Sequence, residues 1–211
     1  MEGNSILRFI NGINNVWSAS KDVEANERAD ILSTILSNSI PCYEEWNSEL
    51  KCDPPQIDFH LVTPPSQFDG NELEKELYTS FVEAFQEMPW KHPRQLSNSL
   101  NAILNGEDNF KSAMLIGTRE LGAIIESDQI FLGLTYLSSG TTYPQHAHDA
   151  TELYYTLLGS ARWGPSLRHL KTVHPGNFIL HSTAQPHAFY VSILPFITFK
   201  SFVLLNYLNP I

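Results

Sequence analysis

The sequence predicts a mainly β fold: a single antiparallel double-sheet barrel over residues 111–211, preceded by an N-terminal α-helical region over 1–110. Three observations predict it. Up to about residue 110 the apolar residues recur at the three-to-four spacing of an amphipathic helix. Beyond that point they fall in short runs rich in β-branched and aromatic residues, separated by Gly and Pro. The length of 211 residues suits one domain with a sizeable appendage, at ~150 residues per domain.

The helical half carries four stripes. Ile6, Phe9, Ile10, Ile13, Val16 and Trp17 form the first. Ile31, Leu32, Ile35, Leu36 and Ile40 form the second, stopped by Pro41. The third is Leu73, Leu77, Phe81, Val82, Phe85 and Met88, which opens with Asn71 and Glu74 in capping-box spacing and ends at Pro89. A shorter one, Leu96, Leu100, Ile103 and Leu104, ends at Gly106. Between the second and third, the Pro-rich stretch from Cys52 to Asp69 reads as an ordered loop, because Ile57, Phe59, Leu61 and Val62 give it apolar surface to bury. These stripes are packing surfaces against the barrel or a second subunit, which is compatible with a homodimer, and a lid over the site is the functional alternative.

The strand candidates follow in order: Met114–Gly117, Gly122–Glu126, Ile130–Leu137, Glu152–Leu158, Ala161–Trp163, Lys171–Val173, Phe178–His181, His187–Val191 and Phe196–Leu205. Many short strands at close spacing imply a sandwich or barrel.

Composition excludes several classes. Charged residues are 17% and hydrophobic ones 42%, which a disordered chain does not show. Thirteen basic against 23 acidic residues give a net charge of −10 with no basic run, so nucleic acid is not an expected partner. Two cysteines, Cys42 and Cys52, make neither a disulfide scaffold nor a cysteine zinc site. No signal-peptide pattern opens the chain and no apolar run approaches the ~20 residues of a membrane span. The expectation is a cytoplasmic protein without membrane contact.

The informative stretch runs from Gly140 to Gly159. His146, His148, Glu152 and Tyr154 are all even-numbered and face one way if the stretch is a continuous strand. Two imidazoles and a carboxylate suit one divalent transition ion such as Zn, Fe, Mn, Co or Ni, rather than Ca or Mg. His187 is the candidate fourth ligand. His181 shares its parity but reads as structural, and His169 and His174 lie in polar turn sequence.

These residues carry a resemblance. Gly140, His146, His148, Glu152 and Gly159 fit the cupin motif G-x5-H-x-H-x3-E-x6-G at every fixed position. Gly176 and His187 keep the spacing of the second cupin motif, with Ser182 and Ala184 where Pro and Gly are usual. More narrowly, the chain resembles the cupin-type dimethylsulfoniopropionate (DMSP) lyases, which place a helical region ahead of one barrel at about this length. That family has a Tyr two residues after the Glu and another shortly before the first His, here Tyr154 and Tyr143.

The resemblance implies a metal-dependent carbon–sulfur lyase that removes the proton alpha to a carboxylate and expels dimethyl sulfide, leaving acrylate. Either Tyr is a candidate base; Tyr154, on the face of Glu152, is the better geometric candidate, whereas Tyr143 precedes Pro144 and has no readable direction. Three neutral His, one Glu and a dication leave a net positive charge that favours a zwitterionic or anionic small molecule. A phenol of pKa ~10 beside that charge becomes a usable base near neutrality. The sulfonium end calls for aromatic surface, for which Phe131, Tyr136 and Trp163 are the substrate-binding candidates, together with Tyr143. Two alternatives stay open: another small-molecule metal cupin, such as a dioxygenase or isomerase, and a non-enzymatic metal-stabilised binding barrel.

Overall fold

Two β-sheets face one another, and three helices cover the outer face of the larger one. The computed structural model describes residues 4–38, 52–59, 71–92, 109–192 and 194–203. In chain order the elements are α1 (Asn4–Ser18), α2 (Val23–Asn38), α3 (Glu72–Ala84), β1 (Trp90–Lys91), β2 (Phe110–Gly117), β3 (Ile125–Glu126), β4 (Ile130–Leu137), β5 (Thr142–His146), β6 (Glu152–Leu158), β7 (Ala161–Ser166), β8 (His169–Val173), β9 (Phe178–His181), β10 (His187–Val191) and β11 (Phe196–Val203). The predicted helix over 96–106, together with Ile40, Pro41, Cys42, His60, Leu61, Val62, Pro64 and Pro65, lies outside the described residues.

The larger sheet has the order β1-β2-β4-β11-β6-β9, with β3 joined to β2; the smaller has the order β5-β10-β7-β8. All these ladders are antiparallel except β2 with β3, which is parallel. Four of the predicted strands, over 130–137, 152–158, 178–181 and 187–191, have the expected limits. β5 and β1 were not among the candidates. Pro144 sits within β5, and a proline is tolerated there because β5 is the edge of its sheet.

Side-chain alternation along the large sheet separates two cores. Leu132, Leu134, Tyr136, Leu153, Tyr155, Leu157, Ile197 and Phe199 point outward and join the helices in one buried cluster. Phe110, Leu137, Tyr154 and Phe196 point between the sheets, where Tyr143, Ala161, Trp163, Phe189 and Val191 of the smaller sheet meet them.

The first predicted stripe is wholly buried, from Ile6 to Trp17. It meets the barrel through Phe9 and Trp17, whose rings lie 6.5 and 5.9 Å from that of Phe199. α3 begins as its sequence requires: the Asn71 side chain accepts from the Glu74 N–H at 3.1 Å, and Glu74 accepts from the Asn71 N–H at 3.0 Å. The second Glu74 oxygen accepts from the Tyr155 hydroxyl at 3.2 Å, tying the helix start to β6. The segment 52–59 is held by Cys52 N–H to the Trp90 carbonyl at 2.9 Å and by Phe59 against Phe85, with ring centroids 5.0 Å apart.

The last glycine of the motif has a conformational reason. Gly159 turns the chain from β6 to β7 at φ +72°, and a Cβ there would lie 2.2 Å from the Pro195 carbonyl oxygen. Gly159→Ala is therefore expected to cost roughly 2 kcal/mol or more. That corresponds to a fall of at least about 4 °C in Tm for a chain of this size, read by calorimetry.

Candidate metal centre and cavity

The motif does not lie on one strand. His146 closes β5, His148 sits in the following loop, and Glu152 opens β6 in the other sheet. The shared parity of 146, 148 and 152 therefore does not bring these groups together; the crossing from one sheet to the other does. His187 arrives from β10, where it is the direct ladder partner of His146. One potential ligand atom from each of His146, His148 and His187 lies within 4.8 Å of the others.

Glu152 has no exposure to solvent. Its Oε2 lies 2.8 Å from His148 Nε2 and 3.4 Å from His187 Nε2, and accepts from the Tyr154 hydroxyl at 2.9 Å. Its Oε1 lies 3.1 Å from Lys200 Nζ. Burial by itself would raise the Glu152 carboxyl; Lys200 and then His148 outweigh it and hold the pKa below the usual carboxylate range.

The residues fit a metal ion. His146 Nδ1 lies 2.9 Å from the Pro144 carbonyl and His187 Nδ1 lies 3.2 Å from the Gln185 carbonyl. Those contacts fix both rings with Nδ1 as the protonated nitrogen and leave Nε2 with a lone pair. His148 Nε2 and His187 Nε2 are buried without a hydrogen-bond partner, although each faces Glu152. Buried polar atoms left in this way are costly unless something else engages them, and a cation among three imidazoles and a carboxylate would do so. Burial also pulls His187 down to about 4, which keeps its ring neutral.

Lys200 is the member of this group that sequence reading missed. It is the ladder partner of Tyr154 across β6 and β11, a pairing that follows only from the sheet order. The loop that carries His148 is also held from outside. Arg28 of α2, 1% exposed, directs one guanidinium nitrogen to Glu24 Oε2 at 2.6 Å and the other to the Thr151 carbonyl at 3.5 Å.

A cavity of about 340 Å³ opens on this cluster, at the small end of the ~300–1,000 Å³ range of small-molecule sites. Tyr143, His146, His148 and Lys200 line it, with Phe110, Phe131, Phe202 and Met114 as apolar walls. Tyr143 is clamped between Phe110 and Phe189, at 5.8 and 4.7 Å between centroids, and its hydroxyl makes no hydrogen bond among the described residues.

The structure divides the predicted site residues. Phe131 and Tyr143 line the cavity. Tyr136 does not, because its place on β4 turns it outward to the helix-side core. Trp163 does not either: it stacks on Phe189 at 4.0 Å and donates its indole N–H to His181 Nε2 at 2.8 Å. Tyr154 is buried behind Glu152, away from the cavity lining. His181 has its Nε2 taken by Trp163 and lies outside the three-histidine group, while His169 and His174 are exposed.

A double-sheet barrel with histidines and a glutamate converging between its sheets defines a cupin. The family model for DMSP lyase matches residues 68–198, more than half of the 211 residues, and the chain belongs to that family. It is 32% identical over 81 residues to the DMSP lyase DddQ of Ruegeria pomeroyi; the match spans 38% of this chain and 39% of that relative's length. The crystal structure of DddQ from Ruegeria pomeroyi DSS-3 is similar with a TM-score of 0.64 and 19% identity, covering 99% of this chain and 96% of that one. A chain from the crystal structures of the DMSP lyases RdDddP and RnDddQII gives a TM-score of 0.62 and 16% identity, covering 98% and 95%. At these identities the likeness concerns the fold, and its coverage includes the helical region. Among the described residues no helix is long and apolar enough to cross a membrane.

Metal binding has a direct stability signature. A divalent ion at about 100 times its Kd stabilises by about 2.7 kcal/mol, or roughly 5–10 °C in Tm at this size. Chelation is expected to lower the Tm of the wild type by that amount and to leave His148→Ala unmoved, as thermal unfolding with and without EDTA will show.

Proposed function

We propose that this protein is a metal-dependent carbon–sulfur lyase that cleaves DMSP to dimethyl sulfide and acrylate, with Tyr143 as the base. The observation that carries the reading is the placement of Tyr143: a buried phenol, its hydroxyl without a partner among the described residues, in the wall of an apolar cavity beside three convergent histidines. Family membership supports the substrate class, a small zwitterion with a carboxylate at one end and a sulfonium at the other.

In this reading His146, His148, His187 and Glu152 hold the ion, which is one of Zn, Fe, Mn, Co or Ni. When bound, the ion supplies positive charge against the negative charge that develops on the substrate carboxylate as the alpha proton leaves. Tyr143, as phenolate, takes that proton. The C–H pair becomes the new double bond, and the C–S pair leaves with sulfur as neutral dimethyl sulfide. Without the ion the Tyr143 phenol is held above its ordinary value by burial, which Lys200 opposes and Glu152 reinforces, so the phenolate depends on the positive charge of the bound ion. Phe110, Phe131 and Phe202 offer ring surface to the sulfonium, a soft cation that gains ~0.5–2 kcal/mol over an aromatic face and loses little hydration. Tyr154 orients the carboxylate of Glu152 rather than reacting. The described helices α1–α3 serve as a support on the outer face of the large sheet, while Lys91 and Phe110 of the N-terminal half reach the cavity itself.

Headspace dimethyl sulfide from metal-reconstituted protein tests the reading. The wild type is expected to release it. Tyr143→Phe should lose about 10²-fold or more in kcat, the scale of a removed general base, with its metal content unchanged. Tyr154→Phe should lose less rate and more metal. Absence of dimethyl sulfide with all five metals, or full activity in Tyr143→Phe, contradicts it.

A further inference from the structure

We infer that Lys200 is the specificity-determining residue of the cavity, a fixed cationic anchor for the carboxylate of the substrate that acts beside the metal centre. The inference rests on the lyase reading and adds a residue that the motif does not contain.

Four observations carry it. Lys200 stands on the inward face of β11, opposite Tyr154, and its side chain lines the cavity together with Tyr143, His146, His148 and Phe202. Its Nζ engages Glu152 by Oε1, at 3.1 Å, while His148, His187 and Tyr154 face Oε2. The two oxygens thus have different neighbours, and Lys200 does not compete with a metal for the same one. An ammonium carries three donors. Glu152 is the one hydrogen-bond acceptor of Nζ among the described residues, and the side chain keeps 26% of its exposure, so donors remain for a molecule in the cavity. The head group is also held in place, 5.0 Å from the ring centroid of Phe202 and 5.7 Å from that of Tyr154.

The other ammonium on the cavity wall is differently employed. Lys91 donates to the Leu121 carbonyl at 2.7 Å, beside Gly122. Among the described residues Lys200 is therefore the cation that stands at the histidine cluster, and it complements the Glu152 charge without using all its donors. A carboxylate in the cavity meets it beside His146 and His148, with Phe131 and Phe202, in edge contact at 5.8 Å, as the apolar wall. Neutral molecules of the same shape gain nothing from it, which makes the cavity selective for a carboxylate-bearing ligand.

The test separates this role from mere support of Glu152. Propionate and acrylate are titrated calorimetrically into Zn-loaded wild type, Lys200→Met, Lys200→Gln and Lys200→Arg, and the Zn Kd of each is measured by competition with a chromophoric chelator. The expected result is a loss of tenfold or more in propionate affinity in Lys200→Met and Lys200→Gln. Their Zn Kd should stay within about threefold, and Lys200→Arg should recover most of the loss. In turnover the same loss should appear in KM for DMSP more than in kcat. Unchanged propionate binding overturns the inference, as does a loss matched by an equal loss of Zn. Dimethyl sulfide release with an unchanged KM in Lys200→Met sinks the anchor and leaves the lyase standing. Lysine-dependent propionate binding without dimethyl sulfide sinks the choice of DMSP and leaves the anchor.

Discussion

A carboxylate withdrawn from water must be met on both oxygens by cations or donors, and the barrel is arranged around one such carboxylate. Glu152 is fully buried and opens β6. Lys200 meets Oε1 from β11; His148 from the loop after β5, His187 from β10 and Tyr154 from β6 converge on Oε2. Three strands drawn from both sheets, and one loop, thus depend on the same charge. Two imidazole nitrogens beside it lack hydrogen bonds, and a cation completing the set would engage them, so the case for a metal rests on desolvation as much as on ligand type.

The helical region supports this charge indirectly, through the strand that carries it. Along β6, Glu152 and Tyr154 point between the sheets while Leu153, Tyr155 and Leu157 point into the helix-side core. Tyr155 is fixed by its bond to Glu74 at the start of α3, and the Thr151 carbonyl, one residue before Glu152, faces the buried Arg28 of α2. These two contacts tie α2 and α3 to β6 and to the loop before it, on either side of the carboxylate. The described helices pack on the face of the large sheet opposite the histidine cluster, which is the packing role rather than the position of a lid.

Much of this was legible in the sequence, for identifiable reasons. The stripe from Ile6 to Trp17 and the Asn71–Glu74 capping box are local patterns, and local physics decides them. The convergence of His146, His148 and Glu152 was suggested because these residues lie close in sequence, and Gly159 stood out because it needs a left-handed turn. What was not legible depends on pairing across long separations. β5 hid behind Pro144, Lys200 became a neighbour of Glu152 only through the β6–β11 ladder, and Tyr136 faced away because nothing local reveals which side of β4 meets the helices. Trp163 illustrates a further limit: an aromatic residue near a site packs against its back wall as readily as it lines its front.

The central claim is that His146, His148, His187 and Glu152 share one cation. Anomalous diffraction from crystals of the metal-loaded protein, collected on both sides of the metal's absorption edge, measures this directly. One peak bonded to three imidazole Nε2 atoms and to Oε2 of Glu152, with Oε1 still held by Lys200, is the predicted result. A peak elsewhere in the chain, or an ion at this place that leaves Glu152 or any of the three histidines unligated, would contradict it.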